Sequence, residues 1–274
     1  MPELPEVETM KRDLEDKIVG LTIKDVEIFD KRVIRGAAPA LFKKKLTGQK
    51  IDSIDRRGKA IIFHLSAGGF LVAHVGMTGY FIYGEHLRNG SDLKETKIIF
   101  TLSNGKHLNY NDHRLFGKLI YSADLGSLPY FQTIGPEPLN GTFSKTWLAE
   151  KLKTKKGPIK PLLMNQQFLA GIGNIYASEI LFESGIRPQR KADRLSSKDT
   201  DLLYSKIKSV LKRAIDHRGT SMRNYRDASG NKGNFKSCIK VYARDGESCV
   251  SCGKLIAKIV QAGRSTFYCA NCQK

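Results

Sequence analysis

The stretch KIIFTLSNGKHLNY, residues 97–110, indicates the fold of the first half of the chain. Its two apolar runs flank Asn104-Gly105, the strongest short-range signal for a β-hairpin. Upstream, LTIKDVEIF alternates with period two, and KAIIFHL, GFLVAHV and GYFIYG are short apolar runs separated by glycine-rich turns. We therefore predict that residues 20 to 125 are mostly β, in a sandwich or barrel.

The segments on either side of these strands have helical spacing. Leu4, Val7, Leu14 and Ile18 predict an amphipathic helix in the first eighteen residues. The Pro- and Gly-rich segment IGPEPLNGT, residues 134–142, is interpreted as a linker. Beyond it the pattern predicts four helices, at 147–152, 162–169, 175–182 and 203–214. Residues 219–234 have little apolar content and predict a long loop of the kind that often forms a functional lid.

The cysteines near the carboxyl end have the spacing of a metal site. Cys249-x-x-Cys252 and Cys269-x-x-Cys272 are two knuckles separated by sixteen residues. This spacing predicts a tetrahedral zinc site in which four thiolates leave no open position, so the metal is structural. Arg264 lies in the turn between the knuckles, where it would either contact DNA or offset the negative charge of the metal centre.

Charge and composition limit the classes of partner. The 46 Lys and Arg against 27 Asp and Glu give a net charge of +19, which favours a polyanion such as nucleic acid. A generally basic surface is the alternative explanation. The sequence has neither a signal-peptide pattern nor an apolar run long enough to span a bilayer, so we expect a cytoplasmic protein.

The amino terminus offers a nucleophile if Met1 is removed. Pro2 would then carry a free secondary amine with a pKa near the usual 7.7–8 of an α-amine, and an unprotonated amine can form a Schiff base with a sugar. Glu3 and Glu6 stand beside it and could transfer protons. From these residues alone, helix capping explains the same pattern.

Eight motifs in order resemble those of formamidopyrimidine-DNA glycosylases. They are PELPEVET at 2–9, RRGK at 56–59, HVGMTG at 74–79, DHRLFG at 112–117, GPEPL at 135–139, IKPLLMNQ at 159–166, GIGNIYASE at 171–179 and the cysteine motif. The resemblance implies an α+β multidomain protein with DNA held between its domains. We expect an N-terminal β-sandwich with its helix at 1–132, a linker at 133–145, a helix-two-turns-helix domain at 146–234 with the lid at 219–234, and a zinc finger at 235–274.

The same resemblance implies roles for individual residues. Pro2 would be the nucleophile, Glu3 the acid or base that opens the sugar ring, and Glu6 a supporting residue. Lys59 and Arg264 would hold phosphates close to the reacting sugar. The remaining DNA contacts would come from His74, Met77, Arg114, Phe116, Lys160, Asn174 and Tyr176, and the lid would contribute Arg223 and Tyr225.

Three of these residues would fill the gap left in the duplex by an everted base. Met77 and Phe116 can wedge between base steps, and Arg114 can hydrogen-bond the orphaned base. Packing within the strands is the alternative for the two apolar side chains. The implied activity is a bifunctional glycosylase and abasic-site lyase that removes oxidised purines by β,δ-elimination, acting as a monomer associated with the bacterial nucleoid.

Two positions depart from the family pattern: Asn165 replaces a common Asp, and Ala243 replaces a common Gly. Two other functions compete. An endonuclease VIII-type glycosylase would act on oxidised pyrimidines, but its amino terminus begins differently from PELPEVET. A zinc-ribbon DNA-binding protein without activity would explain the charge and cysteines, but leaves Pro2 and Glu3 without a role.

Overall fold

The computed structural model describes residues 1–85, 95–222 and 225–274. The chain forms two compact units. The first contains residues 1–133 together with 217–236, and the second contains 134–216 together with 237–274.

Two sheets form the first unit. The strands are β1 (Ile23–Ile28), β2 (Ile34–Arg35), β3 (Ile51–Arg57), β4 (Ala60–Leu65), β5 (Phe70–His74), β6 (Gly79–Gly84), β7 (Thr96–Leu102), β8 (His107–Asp112) and β9 (Lys118–Ser122). One sheet has the order β1-β7-β8-β6 and the other β2-β9-β5-β4-β3. The hairpin predicted around Asn104-Gly105 is the antiparallel pair β7 and β8, in which Phe100 lies opposite Leu108. Apolar side chains of both sheets share one core, which makes this unit a β-sandwich.

Helix α1 (Leu4–Ile18) completes this core. Val7, Met10, Leu14 and Ile18 are fully buried in it, as their spacing predicted. Two other helices, α2 (Pro39–Leu46) and α3 (Pro129–Thr133), flank the strands. The sequence pattern predicts that residues 20 to 125 are mostly β and gives no helix at α2, although Pro39 in its first turn is a common start signal for a helix.

The second unit contains α4 (Lys145–Lys153), α5 (Ile159–Met164), α6 (Asn174–Glu183), α7 (Ser197–Asp216) and the hairpin of β10 (Ala257–Gln261) with β11 (Arg264–Tyr268). Helix α6 is buried along most of its length, whereas α7 buries one apolar stripe. The helix predicted at 162–169 is misplaced. It ends at Met164 because Asn165 turns the chain and accepts hydrogen bonds from the backbone N–H groups of residues 167 to 169.

Residues 217–236 pack with the first unit, although the sequence analysis had placed 219–234 in the helical domain. The physical reason is apolar burial: Tyr225 and Ala228 belong to the sandwich core. The backbone N–H of Tyr83 also donates to the carbonyl of Ala228, at the edge of β6. Within the described parts of the chain, no helix combines the length and apolar character needed to cross a bilayer.

Candidate active site

The start of α1 places two carboxylates next to Pro2. Pro2 and Glu3 are buried, and Met1 is 56% exposed. Glu3 is the N-cap residue of α1, and its backbone N–H donates to Oε2 of Glu6 across 2.7 Å. The sequence brings these groups together because Glu6 is the third helical residue, the position from which a side chain folds back over the cap.

The carboxylate of Glu6 also holds a second segment of the chain. Its Oε1 accepts a hydrogen bond from the backbone N–H of Thr220 across 2.6 Å. Gly219 makes this approach possible, since its φ is +75° and a Cβ there would lie 2.7 Å from Glu6 Oε1. Glu6 is only 1% exposed, so its two oxygens are committed to positioning the turn and the neighbouring loop.

Lys59 lies in the turn between β3 and β4 and is half-buried. Its backbone N–H donates to the hydroxyl of Tyr130 across 3.0 Å. At the end of β3, Arg56 Nε donates to Glu8 on α1 across 2.8 Å. The hairpin that carries Lys59 is therefore fastened to the helix that begins beside Pro2.

His74 lies at the end of β5, with its ring centroid 4.3 Å from that of Tyr130 in an edge-to-face contact. Burial, together with the positive charge of Lys118 directly across the sheet, lowers the pKa of His74 to about 4. The imidazole is neutral near pH 7 and can offer a phosphate a hydrogen bond, but no positive charge.

Met77, Arg114 and Phe116 form a cluster on the surface of the first unit. Met77 is 40% exposed and Phe116 51% exposed. The Arg114 guanidinium lies 4.6 Å from the Phe116 ring centroid, and its Nη1 lies 3.6 Å from Met77 Sδ. The structure thus brings together the three side chains expected to enter the duplex. Their exposure argues against ordinary core packing for the two apolar members.

Asp112, which was not predicted as a site residue, holds the two loops of this cluster through hydrogen bonds. Asp112 is fully buried, and Oδ2 accepts from Gly117 N–H across 2.7 Å. Oδ1 accepts from the Thr78 hydroxyl and from the Arg114 backbone N–H. One carboxylate therefore joins the loop of Met77 to the loop of Arg114 and Phe116. Its place at the head of the DHRLFG motif was the available signal.

In the second unit, two residues predicted to contact DNA are buried, and their role in DNA binding stays a prediction. Lys160 is 1% exposed, and its Nζ donates to the Ser265 carbonyl and the Thr266 hydroxyl at 3.2 and 2.7 Å. Tyr176 is fully buried in α6. Both residues were predicted from their places in the sequence motifs. A place in a motif does not reveal that a side chain points into the interior of the unit.

Asn174 and Arg264 have more suitable positions. Asn174 is the first residue of α6, is partly exposed, and its Nδ2 donates to the Ser265 carbonyl across 3.0 Å. Arg264 is exposed at the start of β11. The Ser265 carbonyl, which also accepts from Lys160, therefore ties the amino end of α6 to the strand that presents Arg264.

The four predicted zinc ligands meet at one point. The sulfur atoms of Cys249, Cys252, Cys269 and Cys272 all lie within 4.8 Å of one another. Cys249 and Cys272 are 3.8 Å apart, and Cys252 and Cys269 are 3.5 Å apart. Tetrahedral coordination with Zn–S bonds of about 2.3 Å requires sulfur separations of about 3.8 Å, which these values match.

The two predicted lid residues have different outcomes. Arg223 lies outside the described residues. Tyr225 is 6% exposed in the sandwich core, and its hydroxyl donates to the backbone carbonyl of Glu6. Its side chain anchors the loop rather than facing an open pocket.

Comparisons with known proteins agree along the whole chain. Residues 1–119 match the formamidopyrimidine-DNA glycosylase N-terminal domain, residues 134–226 its H2TH domain, and residues 246–274 the zinc finger found in FPG and IleRS. The formamidopyrimidine-DNA glycosylase of Desulforamulus reducens is 42% identical and that of Bacillus subtilis 41%, each over 100% of this chain and 99% of the relative.

Solved structures show the same fold. A Lactococcus lactis FPG mutant in complex with Fapy-dG-containing DNA has a TM-score of 0.92 at 36% identity, with complete coverage of both chains. A structure of MutM in complex with carbocyclic 8-oxo-G-containing DNA has a TM-score of 0.91 at 37% identity, again with complete coverage. The chain belongs to the formamidopyrimidine-DNA glycosylase family, and is therefore a DNA glycosylase and abasic-site lyase of base excision repair with one structural zinc site.

Proposed function

We propose that this enzyme removes oxidised purines, 8-oxoguanine and formamidopyrimidines, from double-stranded DNA, with the amine of Pro2 as nucleophile after Met1 is removed. The names of its relatives and the lesions bound in the similar structures support this substrate class. With Met1 attached, the Pro2 nitrogen is an amide and has no lone pair for attack. The exposure of Met1 favours its removal by an aminopeptidase.

The observation that carries the proposal is the arrangement of Pro2, Glu3 and Glu6. Glu3 is 3% exposed, adjoins Pro2, and its side chain accepts a hydrogen bond from the backbone of Glu6 in the capping box of α1, so its carboxylate is held in a buried site at the turn that carries the nucleophile. Glu6 fixes the backbone of this turn through Glu3 N–H. Helix capping alone requires neither a buried Glu3 nor a second segment bound by Glu6.

The reaction follows from these groups. The damaged nucleotide is everted, because C1′ cannot be reached inside the stack. The Pro2 amine attacks C1′, and the bond from C1′ to the base breaks as its electron pair leaves with the base, which takes up a proton. Glu3 protonates O4′ as the sugar ring opens and the iminium forms. Loss of a C2′ proton then expels the 3′ phosphate, and a second elimination expels the 5′ phosphate.

The DNA contacts are proposed from exposed or partly exposed groups in both units. Lys59 and Arg264 bind phosphates beside the lesion, and Asn174 offers its amide at the amino end of α6, where free N–H groups favour anions. Met77, Arg114 and Phe116 fill the gap in the duplex. Because Lys59 and Arg264 contact phosphates as cations and the chain carries a net charge of +19, affinity falls as the salt concentration rises.

The zinc ion, when bound, crosslinks the two knuckles and so fixes the β10–β11 hairpin that presents Arg264. We place the enzyme in the bacterial cytoplasm, in association with the nucleoid, because its relatives are bacterial and its substrate is DNA. The domain boundaries proposed from sequence are kept, except that residues 219–234 act as part of the first unit.

Borohydride trapping tests this proposal. Wild-type protein lacking Met1, verified by mass spectrometry, is incubated with an 8-oxoguanine duplex and reductant, which converts the iminium to a stable adduct. We expect the adduct with wild type and with Pro5→Ala, a matched proline in the same turn. We expect none with Pro2→Gly or with an amino-terminal extension.

The rival functions give different outcomes. Equal or faster reaction with a thymine glycol duplex would place the enzyme with the oxidised-pyrimidine glycosylases. DNA binding without an adduct on any lesion would support the zinc-ribbon binding protein and overturn the proposal.

A further inference from the structure

A second connection joins α1 to residues 217–236, two helical turns beyond Glu6. Nη2 of Arg218 lies 2.6 Å from Oδ2 of Asp13 and 2.6 Å from Oδ2 of Asp227. Asp13 is on α1, and Asp227 is in the middle of the loop at 219–234. One guanidinium, on the residue that precedes the loop, therefore bridges the helix that begins at the nucleophile and the middle of the loop.

Burial and further hydrogen bonds make this arrangement specific. The side chain of Asp227 is 1% exposed and that of Asp13 is 13% exposed. Oδ1 of Asp227 accepts from the backbone N–H groups of Ser229 and Asn231, at 3.0 and 2.8 Å. Asp227 thus folds the returning segment while it holds Arg218. Carboxylates buried to this extent need a paired cation, unlike a surface ion pair.

The backbone of Arg218 has an unusual conformation. Its φ is +58°, in the left-handed region that residues other than glycine and asparagine rarely adopt. The next residue, Gly219, makes the close approach to Glu6. Beside them the chain closes on itself, because Asn234 N–H donates to the His217 carbonyl and Phe235 N–H to the Gly219 carbonyl. The strained backbone points the Arg218 side chain at the two carboxylates.

We propose that Arg218 is a positioning residue for base excision: by clamping Asp13 and Asp227 it fixes the loop at 219–234 relative to the nucleophile helix. The proposal rests on the proposed function, and it takes the loop at 219–234, predicted from the sequence to be a lid, as the segment that covers the everted base. An abasic site has no base to hold, so the clamp serves the glycosylase step and not the lyase step.

The test measures both steps with the same proteins. Single-turnover excision of 8-oxoguanine and cleavage of a preformed abasic site are compared for wild type, Arg218→Asn and Arg218→Lys. Asparagine tolerates the left-handed backbone, so Arg218→Asn removes the clamp without adding strain. Arg12→Ala, which removes an exposed arginine paired with Glu8 on the same helix, is the matched control.

We expect excision to fall about tenfold in Arg218→Asn with abasic-site cleavage within about twofold of wild type, and Arg12→Ala to leave both unchanged. Arg218→Lys should restore part of the excision rate, because an ammonium keeps the charge but not the geometry of the guanidinium fork. Equal loss of both steps, or no loss of either, would overturn the proposal. If wild type is active on both substrates, the proposed function stands and only the role of Arg218 is overturned. Melting temperatures identify a variant that has lost its fold.

Discussion

The carboxylate of Asp112 accepts a hydrogen bond from the backbone N–H of Gly117 across 2.7 Å, beneath the loop that carries Arg114 and Phe116. Because the other oxygen holds Thr78 and the Arg114 backbone, this single buried group sets the geometry of the duplex-filling cluster. The cluster is thus preorganised within the first unit, before any DNA is bound.

Asp112→Asn should lower both the stability of the protein and its discrimination between bases opposite the lesion. The amide presents a donor where a carboxylate oxygen accepted, which leaves buried groups unsatisfied at a cost of about 1–3 kcal/mol. Urea unfolding should show this loss, and the ratio of excision rates opposite cytosine and adenine should approach one. Asp124→Asn, at an exposed turn where the side chain accepts from Gly126 N–H, should change neither measurement.

Gly117→Ala should be severely destabilising. A Cβ at this position would lie 1.7 Å from the Tyr110 hydroxyl oxygen, so the loop or the tyrosine must move. Because the hydroxyl is the nearest obstacle, adding Tyr110→Phe should recover part of the lost melting temperature. Additive effects in this double-mutant cycle would contradict the contact.

Ala243→Gly should stabilise the protein. Ala243 is exposed with φ of +57°, a left-handed backbone conformation that glycine adopts without strain. Relief of the left-handed strain, less the greater chain entropy of glycine, leaves a gain of about 0.5–1 kcal/mol in the free energy of unfolding. Ala257→Gly, in strand β10 with ordinary backbone, should be destabilising in the same assay.

The stability of the first unit should depend on pH through His74. Its folded pKa of about 4 lies below an unfolded value of about 6.5. The unfolded state therefore binds the proton first, and stability is lost as the pH falls from about 6.5 towards 4, by about 2–3 kcal/mol at most. His74→Phe, which cannot titrate, should remove this part of the pH dependence. Parallel stability curves for the two proteins would contradict it.

Substitutions of Lys160 and Arg264 should have different effects on the salt dependence of DNA affinity. Arg264→Ala removes an exposed phosphate contact, so the slope of log affinity against log salt should decrease by about one. Lys160→Met removes a buried ammonium that holds Ser265 and Thr266, so it should lower the melting temperature and leave the slope unchanged. A reduced slope in Lys160→Met would restore its predicted role as a phosphate ligand.

Local pattern was sufficient where the physical requirement is itself local. Helix α1 followed from the spacing of Val7, Leu14 and Ile18, and the β7–β8 hairpin from Asn104-Gly105. The zinc ligands followed from two knuckles because a tetrahedral site fixes the number and spacing of its thiolates. The order of eight motifs identified the family, and the resemblance assigned the role of nucleophile to Pro2.

Tertiary structure decided which side chains face solvent and which face the interior. Lys160 and Tyr176 look in sequence like any other members of DNA-binding motifs, and only packing shows that they are buried. The same holds for Tyr225. Its loop follows α7 in sequence, but it packs with the sandwich because Tyr225 and Ala228 bury apolar surface there. The roles of Asp112 and Arg218 were likewise decided by the fold, although the DHRLFG motif marked the position of Asp112. Their partners are distant in sequence or lie on the backbone. A carboxylate or guanidinium acquires its role only from the groups that the fold brings within hydrogen-bonding distance.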